Sequence, residues 1–360
     1  LPHVDRWEED GAFPDSLFRE AGEAGHLGPM YPEALGGGGG DLLHQVVLAE
    51  ELLKAGSGGL SAGLGSLSIA LPPVLALGTS EQKARMVPPI LRGERIAALG
   101  ISEPGAGSDV AGIRTRAVRD ADGYVLDGSK TFITSGCRAH VVLVLARTSE
   151  HPHKGLTFFA VDTSAAGFSV SRALVKHGWW CSDTAELFLD GVRVPTADRI
   201  GPEGSGFPAL MRNFESERLM LAVHGVVLAQ LALEEATRYA SERQAFGRPI
   251  AGHQVVAHKL ADMATQVASA RALTYAVARR MNAGENLPAE VAMAKNHAGD
   301  VARAVCWEAV QILGGMGYIR ESRVERLMRD ARLLHIGGGT REIMNEIIAR
   351  QVLANAGSPG

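Results

Sequence analysis

The chain has 360 residues, 46% of them hydrophobic and 21% charged, with a formal net charge of −4. That length allows two or three domains with sizeable cores, and acids interspersed with the bases leave no electrostatic footprint for nucleic acid. The longest uninterrupted apolar runs, such as Val141 to Ala146, are too short to cross a bilayer, so no membrane span is expected.

From Pro14 to about Arg95 the pattern is helical, with Leu42, Val46, Val47, Ala49, Leu52 and Leu53 recurring at helical spacing. Gly36 to Gly40 and Pro72-Pro73 mark loops there. The glycine run reads as a flexible connection rather than a phosphate cradle, because no P-loop lysine follows it. From about Ile96 to Ile200 short strands take over: Tyr124 to Leu126 before Asp127-Gly128, Val141 to Ala146, Leu156 to Val161, and Leu187 to Leu189 before Asp190-Gly191. From Phe207 to Ala354 long helices return, broken near Gly247-Arg248-Pro249, Leu287-Pro288 and Gly314 to Gly317, and four or five of them suggest a bundle. The expected architecture is multidomain α+β: a helical unit over 1–95, a β unit over 96–203 and a helical bundle over 204–360. Helices, then strands, then helices argue against a doubly wound nucleotide fold, and Gly105-Ala106-Gly107 lacks the third glycine of a dinucleotide fingerprint.

Cys137, Cys181 and Cys306 are too few and too scattered for a disulfide framework or a zinc site, which fits a reducing compartment. Leu1 to Arg6 show none of the regions of a secretory signal, and a cytoplasmic location is the expectation. His151 and His153 flank Pro152 without further ligands at metal spacing, so no metal is expected.

The segment Ile101-Ser102-Glu103-Pro104-Gly105-Ala106-Gly107-Ser108-Asp109 resembles the first signature of the acyl-CoA dehydrogenases. Phe132-Ile133-Thr134-Ser135-Gly136 resembles that family's flavin-contacting turn, and Cys181-Ser182-Asp183-Thr184 its late β-domain motif. Arg243-Gln244-Ala245-Phe246-Gly247 with Gln254, then Gln311 to Tyr318, then Gly339-Thr340 complete the series in the family's order. The resemblance implies a helical N-terminal domain, a β-barrel-like middle domain and a C-terminal four-helix bundle, with FAD between the last two. It also implies a homotetramer or dimer, in which a neighbouring subunit helps to hold the adenine end of FAD. An acyl-CoA thioester would be the substrate and an electron-transferring flavoprotein the acceptor.

By the same resemblance, Ile101, Ser102, Phe132, Ile133 and Thr134 face the flavin, and Ser108 meets the CoA portion. The family often has tryptophan at the place of Phe132, and an aromatic in a strand is more often core than cofactor wall. Arg243 offers a guanidinium fork for the FAD pyrophosphate and Gln254 an amide for the adenosine end, with Phe246 beside them. Gln311, Gly314 and Gly315 would let main chain pass close to FAD, though Gly-Gly at a helix end is ordinary. Thr340 and Glu342 follow as FAD contacts, where Thr340 serves equally as a helix cap.

The reaction needs a carboxylate base in a dry pocket. Many members of the family place that glutamate immediately before the late Gly-Thr, where this chain has Gly338. Long-chain and isovaleryl members instead use a glutamate before an arginine early in the first C-terminal helix, matched here by Glu217-Arg218. Leu210, Phe214, Glu217, Leu221 and Leu228 share an a/d-like spacing, so Glu217 falls on an apolar stripe that Glu215 and Glu234 miss. Burial there would raise its pKa toward the range useful for a base; the plainer alternative is a buried glutamate paired with a structural arginine. His224 lies on the same stripe, as a packed core residue or part of the pocket wall. Gly338 still supplies a main-chain N–H, which the resemblance implies helps to polarise the thioester carbonyl. By the same resemblance Arg218, Glu215 and Gly339 meet substrate or active-site charge, the plainer alternative for Arg218 and Glu215 being a helix-surface residue. The missing late glutamate leaves open an acyl-CoA oxidase or a desulfinase, and the unequal assemblies of some family relatives leave open a non-catalytic acyl-CoA-binding or partner subunit.

Overall fold

The helical texture of the first hundred residues resolves into seven helices: α1 (Val4–Asp10), α2 (Ser16–Glu23), α3 (Leu42–Leu53), α4 (Gly58–Leu64), α5 (Leu67–Ala70), α6 (Pro72–Leu77) and α7 (Ser80–Leu91). The computed structural model describes residues 2–356, so the outermost parts of the expected end units, Leu1 and 357–360, lie outside the described residues. Local chemistry sets the starts of the longer helices. Asp41 accepts the Leu43 and His44 N–H groups while His44 receives the Asp41 N–H, and Thr79 and Gln82 exchange the same reciprocal bonds at the head of α7.

Two loop expectations change. Pro72-Pro73 forms the first turn of α6, where a missing N–H costs nothing. Gly36 to Gly40 is not a loose connection either. The N–H groups of Gly37, Gly38, Gly39 and Gly40 bond to carbonyls between Gly28 and Pro32, and a Cβ on Gly37 would lie 2.3 Å from the Tyr31 oxygen. The glycines are there for close backbone approach.

The middle unit is an eight-stranded sheet of β1 (Ala97–Gly100), β2 (Arg116–Asp120), β3 (Gly123–Thr134), β4 (Val141–Arg147), β5 (Leu156–Asp162), β6 (Phe168–Val170), β7 (Thr184–Pro195) and β8 (Arg199–Ile200). Its order is β6-β7-β3-β2-β4-β5-β8, with β1 parallel to β4. The unbroken apolar run of β4 has a reason: successive side chains serve different cores. Val142, Val144 and Ala146 pack inside the β unit, whereas Val141, Leu143 and Leu145 pack against the N-terminal helices. Leu156, Phe158 and Ala160 of β5 likewise face the helices while Phe159 and Val161 face inward.

The last unit begins with α8 (Gly206–Glu242), 37 residues long and so about 55 Å from end to end. It is followed by a tight hairpin of β9 (Gln244–Ala245) and β10 (Arg248–Pro249), then α9 (Gln254–Asn282), α10 (Pro288–Leu313), α11 (Gly315–Tyr318), α12 (Arg323–Ala331) and α13 (Arg341–Ala356). By length and composition α8 could span a bilayer, which short apolar runs do not suggest, but its apolar stretch is mostly buried. It packs against α9, α10, α12 and α3. Pro288 opens α10, and Gly314, at φ 59° and ψ −134°, closes it in a conformation that suits glycine.

Candidate active site

A cavity of about 1560 Å³ opens where the three units meet. A pocket for one small ligand holds roughly 300–1,000 Å³, so this one has room for more than one. Ile101, Ser102, Ser108, Phe132, Ile133 and Thr134 line it from the middle unit, Glu217 and Arg218 from α8, and Gly338, Gly339 and Thr340 from the turn before α13. Residues far apart in sequence thus share one wall.

Eight of the expected site residues are not on the cavity wall. Glu215 is half-buried and absent from the cavity wall, because two residues turn a helix by roughly 200° away from Glu217. Glu342 is exposed on α13; its carboxyl is held below the ordinary range by its own N–H and then by the Thr340 hydroxyl. Arg243, Phe246, Gln254, Gln311, Gly314 and Gly315 form a second, exposed group outside the cavity. Arg243 follows Glu217 by 26 residues of continuous helix, about 39 Å, so a single chain does not bring the two groups onto one site.

Glu217 is half-buried as a residue because it lines the cavity, yet its Oε2 is shut from solvent and has no hydrogen-bond partner. Burial pushes its carboxyl up to about 7, and Arg218, then Lys295, pull it partly back. A carboxylic acid poised near neutrality in an apolar wall has the properties of a general base. Across from it the chain turns through Gly338 at φ 64° and Gly339 at φ 98°, left-handed positions that side chains resist. Arg218 Nε donates to the Gly338 carbonyl at 3.0 Å, and Lys295 Nζ donates to the carbonyls of Gly339 at 2.6 Å and Leu334 at 3.0 Å. Among the described residues the Gly338 N–H has no protein acceptor. Thr340 both lines the cavity and caps α13 by accepting the Ile343 N–H.

The Ile101–Asp109 turn is held from beneath. Lys130, fully buried, donates to the Ile101 carbonyl at 3.0 Å and to Glu103 Oε1 at 2.8 Å, while Glu103 also accepts the N–H groups of Arg114 and Thr115. A second main-chain tie runs from the Thr131 N–H to the Ser102 carbonyl at 2.8 Å.

Phe132 departs from the usual fate of an aromatic in a strand. It sits at φ 61°, beside a register shift of β3 against β7, and remains 70% exposed on the cavity wall. A non-glycine residue there costs on the order of 1–2 kcal/mol, and the ring gains no core packing in return. A flat ring laid against it would offset that, so the residues present fit the isoalloxazine of FAD.

The sequence reading assigns no role to four contributors. Lys295 lies on the apolar face Val291, Ala294, Ala298 and Ala302 of α10, the criterion that singles out Glu217, and could have been found the same way. Lys130 and Glu103 meet only through the folding of β3 under the first turn. Trp179, at φ 55° with its N–H bonded to Asp330, stacks on His224 at 5.5 Å and lines the cavity beside it. His224 is thus both packed core and pocket wall. His151 and His153 are exposed, and among the described residues no group of His, Cys, Asp or Glu is arranged to hold a metal.

Family models for the acyl-CoA dehydrogenase N-terminal, middle and C-terminal domains match residues 1–94, 98–192 and 204–353. A solved structure from Mycobacterium abscessus, ascribed to an acyl CoA dehydrogenase, superposes with a TM-score of 0.96 at 49% identity, covering 98% of this chain and 94% of that one. The mitochondrial long-chain specific acyl-CoA dehydrogenase of Mus musculus is 37% identical over 99% of this chain and 83% of its own length. Subunit CarC of the caffeyl-CoA reductase-Etf complex of Acetobacterium woodii is 37% identical over 97% of this chain and 93% of its own. The chain belongs to the acyl-CoA dehydrogenase family, flavin-dependent oxidoreductases acting on CH–CH bonds.

Proposed function

We propose that this chain binds FAD and oxidises an acyl-CoA thioester to the trans-2-enoyl-CoA, with Glu217 as the base. The observation that carries the reading is the Glu217 carboxyl, buried beside the glycine turn with one oxygen unpartnered and its pKa raised to about 7. In its ionised form it takes the proton from the carbon next to the thioester carbonyl. The Gly338 N–H donates to that carbonyl oxygen as charge builds on it, an interaction worth on the order of 3 kcal/mol in other enzymes. FAD, when bound, supplies the hydride acceptor. Phe132, Ile133 and Thr134, with Ile101 and Ser102, would hold its ring, and Ser108 would meet the CoA portion.

Arg243, Phe246, Gln254, Gln311, Gly314 and Gly315 would reach the adenine end of a FAD bound in a neighbouring copy, which their exposure and distance from the cavity support. A homotetramer or dimer follows from that reading, as does an electron-transferring flavoprotein for reoxidation, a partner consistent with the Etf complex in which the Acetobacterium relative works. A cytoplasmic setting suits three free cysteines, two of them buried.

The test is Glu217→Gln, which keeps size and hydrogen bonding but cannot take a proton. Turnover should fall by about 10²–10⁴ while the protein still purifies yellow with FAD. Full activity in that variant would reject the assignment. Anaerobic bleaching of the flavin by a panel of straight and branched acyl-CoA thioesters then separates a dehydrogenase from a non-catalytic subunit, and peroxide formation in air marks an oxidase.

A further inference from the structure

We infer that Lys295 is a positioning residue for this reaction: with Arg218 it holds the carbonyls of the glycine turn away from the Gly338 N–H, and it stands as the second cation facing Glu217. The inference rests on the reading of Glu217 as the base.

Lys295 is 1% exposed on α10, among Ala292, Ala294 and Ala298. Burying an ammonium there is costly, and burial is the main reason its pKa falls to about 8. A leucine or methionine would pack in its place without that cost. The structure gives the charge two acceptors, Leu334 and Gly339, on either side of Ile336-Gly337-Gly338. One ammonium therefore pins both ends of the turn. Arg218 takes the carbonyl in between, that of Gly338. Two cations on three carbonyls fix peptide groups before and after the one that carries the Gly338 N–H, in a stretch where glycine alone would leave them free.

The same ammonium bears on the base. The point a Cβ on Gly338 would occupy is 3.6 Å from Lys295 Cε and 3.6 Å from Glu217 Oε1, so both side chains come close to the same spot beside the glycine. The charged groups acting on Glu217 are Arg218 on its own helix and Lys295 from α10. Ile336 to Gly339, packed against it, carry no titratable side chain, and His224, two turns further on, is kept neutral by burial. Lys295 favours the ionised base without forming a salt bridge to it, which leaves the carboxylate oxygens open to the substrate proton.

The experiment compares FAD-loaded wild type with Lys295→Met and Lys295→Gln on one acyl-CoA substrate across pH. In Lys295→Met, kcat should fall about tenfold or more while KM stays within about threefold, because the turn acts on the transition state. The acid limb of kcat/KM should move up by about half a pH unit or more, since losing a cation raises a carboxyl. Lys295→Gln keeps an N–H donor without charge; it should recover part of kcat and retain the shifted limb, and it decides the question if the methionine variant does not fold. A folded, yellow variant with unchanged kcat and an unmoved limb overturns the inference. So does a joint decline of kcat, substrate binding and FAD retention with the limb unmoved, the pattern of a lysine that only supports the fold. Glu217→Gln separates the two readings: if it is inactive and the lysine variants are normal, only Lys295 is wrongly assigned, and if it is active, the base itself is.

Discussion

The place where a Cβ on Gly338 would sit lies 3.6 Å from Oε1 of Glu217, although the two residues come from opposite ends of the C-terminal unit. A side chain on either could deliver an acid to the same spot. This chain has glycine at residue 338, and Glu217 of α8 brings a carboxyl to the same place. Both sites could not be filled as they stand, because a Cβ on Gly338 would also meet Leu221 Cδ1 at 2.6 Å.

Gly338→Ala should therefore lower stability by about 1–3 kcal/mol, through the left-handed φ and the contact with Leu221. Adding Leu221→Ala should relieve the clash but not the backbone cost. Urea unfolding of the single and double variants reads both contributions.

The ionisation of Glu217 sets two pH dependences of known sign. With Glu217 as the proposed base the working form is the carboxylate, so kcat/KM should rise with pH through an apparent pKa of about 7. The folded pKa is above the ordinary 4.5, so the native state binds this proton more tightly than the unfolded chain. Its contribution to stability is present below the unfolded value and is lost as pH rises through about 7. Glu217→Gln should hence be more stable than the parent at pH above that value, by on the order of 1–3 kcal/mol, with the difference shrinking in acid. Unfolding midpoints taken across the range check it.

Lys130→Met should destabilise the protein by about 3–5 kcal/mol, because Glu103 would be left buried without its counter-ion. The same change frees the Ile101 carbonyl on the cavity wall, so FAD retention should weaken as well. Converting both members, Lys130→Met with Glu103→Gln, should restore part of the stability but not the shape of the turn. Chemical unfolding and flavin release by dialysis give separate readouts.

His224 makes one hydrogen bond, from Nδ1 to the Met220 carbonyl at 3.0 Å, and its Nε2 is buried without a partner. Burial lowers its pKa from 6.5 to about 4. The unfolded chain therefore takes up a proton that the native state refuses, and stability declines as pH falls from 6.5 toward 4. His224→Phe keeps a ring against Trp179 and removes the unpaired nitrogen. Its stability should change less over that interval, which a series of thermal midpoints would show.

Much of this molecule is written locally. The period of apolar residues separates helices from strands, and Glu217 betrays itself as a charge on an apolar stripe because helical spacing is a short-range property; Asp127-Gly128 and Asp190-Gly191, which read as strand ends, instead lie inside β3 and β7 where the pairing of the two shifts register. Signature order was enough to point to the family. The turn at Phe132 was legible as a motif, but its positive φ and bare ring were not, since strain of that kind is imposed by the strands on either side. Glu215 and Glu342 entered the expected site through the family resemblance; the rotation of a helix takes Glu215 off the cavity wall, and Glu342 is exposed on α13.

What only the tertiary structure decided is which distant groups meet. Lys295 reaching the glycine turn, Lys130 reaching Glu103, and the separation of the Arg243 group from the cavity all depend on how α8, α10 and the sheet are placed against one another. That placement comes from burying three hydrophobic cores at once. Periodicity along the chain shows which face of an element is apolar, but not which neighbour covers it, because hydrophobic burial has no preferred direction or partner.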